Sequence, residues 1–119
     1  MREKSPAVYI LANKPRGAIY VGVTGALWNR VAIHKDGKVP GFTLKYDIKC
    51  LVWYEHHHSM ESAIRREKQI KEWKRKWKDE LIEKFNLQWR ELHDEIDVNA
   101  TLVAYQPDKD SGFRRNDEF

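Results

Sequence analysis

Two short apolar runs joined by a turn sequence constrain the fold of this chain more than any other feature. Ala7–Ala12 and Ala18–Val23 are rich in Val, Ile and Tyr, which favour β-strands. Between them, residues 13–17 read Asn-Lys-Pro-Arg-Gly, where the Pro presets one backbone angle and the Gly permits a reversal. The pattern predicts a β-hairpin with a loop over residues 13–17.

Each predicted strand carries a tyrosine. Side chains alternate between the two faces of a strand, so Tyr20 shares a face with Ala18 and Gly22. These small neighbours would leave room beside the Tyr20 ring, where a substrate could approach. The alternative is that Tyr9 and Tyr20 are both core aromatics with hydrogen-bonded hydroxyls.

The rest of the chain contains helical and extended patterns. An apolar stripe predicts a helix from Ala26 to about Lys35, with Thr24 capping its first N–H groups. Ile48–Glu55 is rich in Val, Trp, Tyr and Leu and predicts a third strand, central or near-central in the sheet. A second helix is expected to begin at Ser59. Residues 73–97 are expected to continue as helix, with a break at Asn86 and a shorter amphipathic piece from Leu87 to Ile96. A length of 119 residues fits one domain.

Three polar side chains fall on stripes that are otherwise mostly apolar. Arg30 and His34 lie about one turn apart on the same side of the first predicted helix, and Glu67 interrupts the stripe of the second. A carboxylate that faces the interior needs a partner. For Glu67 that partner could be Arg30, in a structural salt bridge, or a divalent cation at a functional site.

Three consecutive histidines, His56, His57 and His58, follow the third predicted strand. Consecutive residues in an extended segment point to opposite faces, so these three cannot easily share one metal ion. The sequence therefore favours a polar strand end over a metal site here.

Charge is distributed unevenly along the chain. Residues 65–78 contain eight Lys/Arg and two Asp/Glu, a net +6, whereas residues 79–97 contain two and seven, a net −5. Such a basic segment favours a polyanionic partner, most often nucleic acid, and the alternative is a solvated helix face. The candidate nucleic-acid-binding residues are Arg65, Arg66, Lys68, Lys71, Lys74, Arg75, Lys76 and Lys78.

Cysteine content and hydropathy indicate the cellular compartment. Cys50 is the single cysteine and cannot form an internal disulfide, which fits a reducing environment. The chain has no run of about eighteen apolar residues and no apolar N-terminal segment of the secretory type. We therefore expect a cytoplasmic protein without a membrane partner. Separately, the polar residues 106–119 are expected to form a mobile tail.

Taken together, these features resemble the GIY-YIG nuclease superfamily, in particular its small single-domain branch related to the nuclease domain of the excision-repair C subunit. The similarity runs from about residue 6 to residue 85. Ala7-Val8-Tyr9 stands at the first triplet of the family, with Ala and Val in place of Gly and Ile, and Tyr20-Val21-Gly22 stands at the second. The helix with Arg30 and His34 continues the match, as do residues 34–38, 51–55 and 63–71.

The resemblance implies an α/β fold with a small three-stranded antiparallel sheet flanked by helices. Residues 1–88 would form the endonuclease domain, and residues 89–119 a C-terminal helical extension and mobile tail. It also implies cleavage of DNA phosphodiester bonds with the help of one Mg²⁺ or Mn²⁺ ion. The cut would be directed by the structure of the DNA, as in repair or recombination. The implied roles are general base for Tyr9, placement of water and phosphate for Tyr20, phosphate binding for Arg30, assistance to Tyr9 for His34 and metal binding for Glu67.

Two alternatives are left open by the sequence. A non-catalytic nucleic-acid-binding module with the same fold would keep the basic segment but could tolerate loss of Glu67. A subunit that works only with a partner could use the Trp-rich residues 73–89 and the acidic residues 79–97 as its interface. The choice between DNA and RNA, the structure cleaved and the oligomeric state do not follow from the sequence.

Overall fold

A computed structural model describes residues 5–96 of the chain. Within that range, helices flank a three-stranded antiparallel sheet with the strand order β2-β1-β3. This architecture confirms the predicted α/β fold. The elements are β1 (Ala7–Ala12), β2 (Ile19–Thr24), α1 (Leu27–Lys35), α2 (Phe42–Lys45), β3 (Cys50–His56), α3 (Met60–Lys71), α4 (Arg75–Phe85) and a single 3₁₀ turn at His93–Glu95.

The predicted hairpin is confirmed, but its turn uses a different residue from the one expected. Arg16, not Gly17, has the positive φ of 58° that reverses the chain. Gly17 is needed for space, because a Cβ there would lie 2.2 Å from Oδ1 of Asn13. That oxygen accepts a hydrogen bond of 2.9 Å from the backbone N–H of Ala18, which closes the loop.

The position of β3 in the sheet was predicted wrongly. Within residues 5–96, β3 pairs only with β1 and lies at one edge, whereas β1 pairs with both other strands and is central. All six residues of β1 are accordingly buried. An apolar run alone does not distinguish a central strand from an edge strand that is covered by packed helices.

The two faces of the sheet carry separate parts of the core. Val8 and Ile10 point to the face covered by α3 and α4, where they pack with Ile70 and Ile82. Tyr9 points to the opposite face. That second face is lined by Tyr9, Leu11, Leu27, Val31, Ile48, Leu51, Leu92 and Ile96.

Residues 59–96 are less helical than the sequence predicted. The helix beginning after Ser59 is confirmed, and the Ser59 hydroxyl accepts the predicted capping bond from the N–H of Ser62 at 3.1 Å. However, α3 ends at Lys71, and α4 ends at Phe85. The break at Asn86 is confirmed. The break after Lys71 was not predicted, because the apolar positions continue across it.

Asn86 ends α4 and fixes the chain that follows. Its buried amide Nδ2 donates to the carbonyl oxygens of Val52 (3.1 Å) and Arg90 (2.9 Å), and its Oδ1 accepts from the N–H of Arg90 at 3.0 Å. These bonds satisfy a buried polar side chain and attach the segment to β3. Asn86 is therefore a structural residue at the junction.

Residues 89–96 pack on the same sheet as the rest of the fold. Trp89, Leu92 and Ile96 are buried, and the N–H of Leu92 donates to the carbonyl of Leu51 at 2.8 Å. The division of the chain at residue 88 stays a prediction, and the mobile tail over residues 106–119 lies outside the described residues. In residues 5–96, no helix has the length and apolar character needed to cross a bilayer.

His56, at the end of β3, should make the fold sensitive to mild acid. Burial and the neighbouring His57 lower the pKa of His56 to about 4. The unfolded chain therefore binds a proton near its ordinary pKa of about 6.5, whereas the folded chain does not until lower pH. We expect the free energy of unfolding to fall by roughly 2 kcal/mol between about pH 7 and pH 4.5 from this group alone.

Urea unfolding at a series of pH values measures this effect. His56→Gln should flatten the acid loss of stability, because Gln carries no titrating group. His58→Gln is the matched control, since His58 is exposed at the next turn. Equal pH dependence in wild type and His56→Gln would contradict the assignment.

Candidate active site

Tyr9, Tyr20 and His34 form an aromatic cluster beside the central strand. The Tyr9 hydroxyl lies 3.2 Å from Nε2 of His34, and both residues are at most 3% exposed. The Tyr20 ring lies 6.2 Å from that of Tyr9 and 5.5 Å from that of His34, measured between centroids. The strand pairing and α1 thus bring together three side chains that lie as many as 25 residues apart.

Thr43 completes this cluster, a role that the sequence pattern did not predict. Its hydroxyl lies 3.2 Å from Nδ1 of His34, so both ring nitrogens of the histidine have partners. Thr43 is buried although its neighbours on α2 are exposed. In the sequence, Thr43 is a single Thr within a polar and aromatic segment. That pattern does not indicate that its hydroxyl points inward.

Gly22 lies where the sequence predicted room beside Tyr20, but that room is filled. A Cβ at Gly22 would lie 2.5 Å from both Cζ and the hydroxyl oxygen of Tyr9, and 2.9 Å from Cε2 of Tyr20. Tyr9 and Gly22 are direct partners in the strand pairing. The room that the sequence predicted at Gly22 is therefore taken by the Tyr9 ring and not left for a substrate.

Arg30 is exposed on α1, and its positive charge acts to lower the pKa values of the buried Tyr9 and His34 side chains. Burial is the main cause of a raised pKa at the Tyr9 phenol, followed by Tyr20, while Arg30 acts in the opposite direction. The Glu67 carboxylate also raises the pKa of Tyr9. Burial, with Arg30, lowers the pKa of His34. Tyr9 and His34 are therefore both neutral near pH 7.

Glu67 is buried on α3, as the interrupted stripe predicted, but its cationic partner is not Arg30, one of the two partners that the sequence left open. Its Oε2 lies 2.7 Å from Nζ of Lys71, one turn further along the helix. The Lys71 side chain is 49% exposed and that of Glu67 is 11% exposed. Lys71, rather than Arg30, is thus the cation that balances this carboxylate.

The donor set around Glu67 bears on metal binding. Among residues 5–96, no three His, Cys, Asp or Glu side chains are grouped as a metal cluster. Mg²⁺ commonly binds one or two carboxylates and completes its coordination with water and substrate phosphate. Glu67 supplies one such carboxylate, and its negative charge acts on Tyr9, so it fits a site of this kind beside the cluster. The Lys71 ammonium, which now pairs with Oε2 of Glu67, would have to move aside.

The basic segment divides into cations with and without protein partners. Arg65, Arg66, Lys71 and Arg75 form ion pairs with carboxylates, and Lys78 donates to the carbonyl of Lys71. Arg75 also donates to the carbonyl of Gly17 at 2.6 Å, linking α4 to the hairpin loop. Among the cations of residues 65–78, those that form no such contact are Lys68, Lys74 and Lys76.

The chain matches a known family of protein domains. Residues 5–80 match the family model described as the GIY-YIG catalytic domain, which covers more than half of the chain. No curated protein and no solved structure matches the chain.

Proposed function

Because the chain belongs to the GIY-YIG family of nuclease domains, we propose that it is a metal-dependent endonuclease that cleaves DNA phosphodiester bonds. The observation that carries the proposal is the buried contact between the Tyr9 hydroxyl and Nε2 of His34. The charges of Arg30 and Glu67 both act on Tyr9. We further propose that DNA structure, rather than a long sequence, directs the cut, as in repair or recombination.

Tyr9 is the proposed general base, and Nε2 of His34 is the acceptor within hydrogen-bond reach of its proton. A neutral phenol with a raised pKa cannot accept a proton unless it releases its own. When Nδ1–H of His34 donates to Thr43, Nε2 is free to accept the phenol proton of Tyr9. Tyr9 would then take a proton from the attacking water as its own proton moves to His34.

Arg30 and Tyr20 are the proposed phosphate-positioning groups. A guanidinium presents a planar set of N–H donors that can bind two phosphate oxygens as negative charge develops. The exposed position of Arg30 leaves it accessible to a DNA strand. Tyr20, half-buried on β2, would orient the water and phosphate beside Tyr9.

Glu67 is the proposed ligand of one Mg²⁺ or Mn²⁺ ion. When bound, such an ion neutralises phosphate charge and stabilises the leaving oxygen. The half-exposed Lys71 can move away from Glu67 at little cost, because an ion pair with an exposed partner contributes only about 0.2–1 kcal/mol.

A labelled substrate panel tests the proposed function. Flapped, branched, damaged and single-stranded DNA, together with RNA, would be incubated with the protein in Mg²⁺ or in EDTA. We expect cleavage of at least one DNA structure that depends on Mg²⁺. Binding without cleavage of any substrate would instead indicate the non-catalytic nucleic-acid-binding module.

The basic segment, with Lys68, Lys74 and Lys76 foremost, is the proposed electrostatic contact with DNA. Neutralising phosphates releases counterions, so affinity falls steeply with salt, by a log–log slope of about 0.9 for each contact with duplex DNA. Replacing these three lysines with Gln should weaken binding and reduce the slope by up to about 3. Filter binding over a range of salt concentrations measures the slope.

Lys84→Gln is the control for this experiment. Lys84 is exposed on α4 within the acidic residues 79–97, so its loss lowers the net charge outside the proposed surface. The control should keep the wild-type slope. An unchanged slope in the triple variant would reject this surface as the contact.

A further inference from the structure

The short helix α2 presents an exposed aromatic pair beside the candidate active site. The rings of Phe42 and Tyr46 are 4.9 Å apart between centroids, and the two residues are 51% and 44% exposed. On the same helix, buried Thr43 contacts His34 at 3.2 Å. Phe42 directly precedes Thr43 in the chain. One residue of the aromatic pair is therefore the immediate neighbour of a residue that contacts His34, the partner of Tyr9.

Positive charge accompanies this aromatic pair. Nζ of Lys45 lies over the Tyr46 ring, 5.4 Å from its centroid. Lys35 pairs with Glu91, and Lys49 pairs with Asp47 at 3.1 Å. Among the described residues, Lys45 has no acidic partner, so its charge is available to a ligand.

The segment is also held in place, as a binding surface requires. Nδ2 of Asn13, in the hairpin loop, donates to the carbonyl of Tyr46 at 3.4 Å. The N–H of buried Ile48 donates to the carbonyl of Thr43 at 2.8 Å. The aromatic pair is thus fixed at both ends while its rings remain exposed.

We propose that Phe42, Tyr46 and Lys45 form a binding site for an unpaired nucleotide next to the scissile phosphate. Aromatic rings beside cations are the combination that stacks on bases and attracts the phosphate backbone of single strands. Bases inside a duplex have their faces covered by neighbouring pairs, so only an unpaired base can stack here. This inference rests on the proposed function and specifies its substrate class as DNA with unpaired bases at the cut.

Binding measurements in EDTA test the site without requiring cleavage. Fluorescence anisotropy would compare a labelled duplex carrying a single-stranded flap with a blunt duplex of equal length. The variants are Phe42→Leu and Tyr46→Leu, which remove a ring but keep an apolar side chain. Phe85→Leu is the matched control, because Phe85 is also 51% exposed but lies at the end of α4.

Each of the two variants should weaken binding to the flapped duplex by about fivefold or more, as expected for losing one stacked base. Binding to the blunt duplex should change by less than about twofold, and Phe85→Leu should behave as wild type on both DNAs. An equal loss on both DNAs, or no loss on the flapped duplex, would overturn the site. If one variant fails to fold in a thermal melt, the other decides the result.

The two proposals can fail separately. A wild-type protein that cleaves no member of the substrate panel removes the proposed endonuclease activity, but the anisotropy comparison still decides the nucleotide site. Conversely, Mg²⁺-dependent cleavage with unchanged binding by the Phe42→Leu and Tyr46→Leu variants keeps the activity and rejects the site.

Discussion

Glu67→Gln should abolish Mg²⁺-dependent cleavage, by about a hundredfold or more, while leaving the protein folded. The amide removes the negative charge needed to hold a divalent cation. It also removes the ion pair with Lys71, whose side chain is 49% exposed and can be solvated. The cost to the free energy of unfolding should therefore be about 0.2–1 kcal/mol, rather than the roughly 3–5 kcal/mol expected for a cation left buried without a partner.

Thermal unfolding and a cleavage assay on the same preparations measure both effects. Glu61→Gln is the matched control, because Glu61 lies on the same helix in the same type of ion pair, with Arg65 at 3.3 Å. The control should keep both stability and cleavage. DNA binding in EDTA should survive in Glu67→Gln, since the basic surface is unchanged. Cleavage at the wild-type rate by Glu67→Gln would contradict the one-metal proposal.

Gly22→Ala should disturb the candidate active site more than a single methyl group normally would. The new Cβ would lie 2.5 Å from the Tyr9 ring, which is buried and cannot swing into solvent. Overpacking of this kind costs about 1–3 kcal/mol, and displacing a reacting group by about 1 Å can cost roughly a hundredfold in rate. We therefore expect lower stability together with a loss of cleavage of about a hundredfold.

Ile19→Val separates these two consequences. Ile19 lies on the same strand but packs on the face that α3 and α4 cover, away from Tyr9. Its truncation should cost about 0.5–1.5 kcal/mol without moving the tyrosine. Urea unfolding and cleavage rates of both variants provide the comparison. Equal activity in the two variants at similar stability would show that the space at Gly22 has no special role.

The sequence predicted those parts of the fold that depend on local patterns. The hairpin followed from two β-rich runs around a Pro-Gly turn, and the start of α3 followed from Ser59 as a helix cap. The burial of Glu67 followed from the periodicity of its helix. In each case the deciding interaction lies within a few residues of the chain, so the pattern contains it.

The parts that the sequence did not predict depend on contacts between distant residues. The path of the chain after Asn86 is set by the bond of its amide to Val52, 34 residues earlier. The role of Thr43 depends on the position of His34 on another helix, and the space at Gly22 is filled by a ring from the neighbouring strand. The Glu67–Lys71 ion pair is an exception, because it joins residues four apart on one helix and the spacing alone could have indicated it.

The return of residues 89–96 to the sheet has a consequence for the order of events during synthesis. Leu92 and Ile96 belong to the same part of the core as Tyr9, although Tyr9 is near the start of the chain. A nascent chain cannot complete that part of the core until these residues have left the ribosome exit tunnel. The core cluster that contains Tyr9 is therefore completed only when most of the protein has been translated.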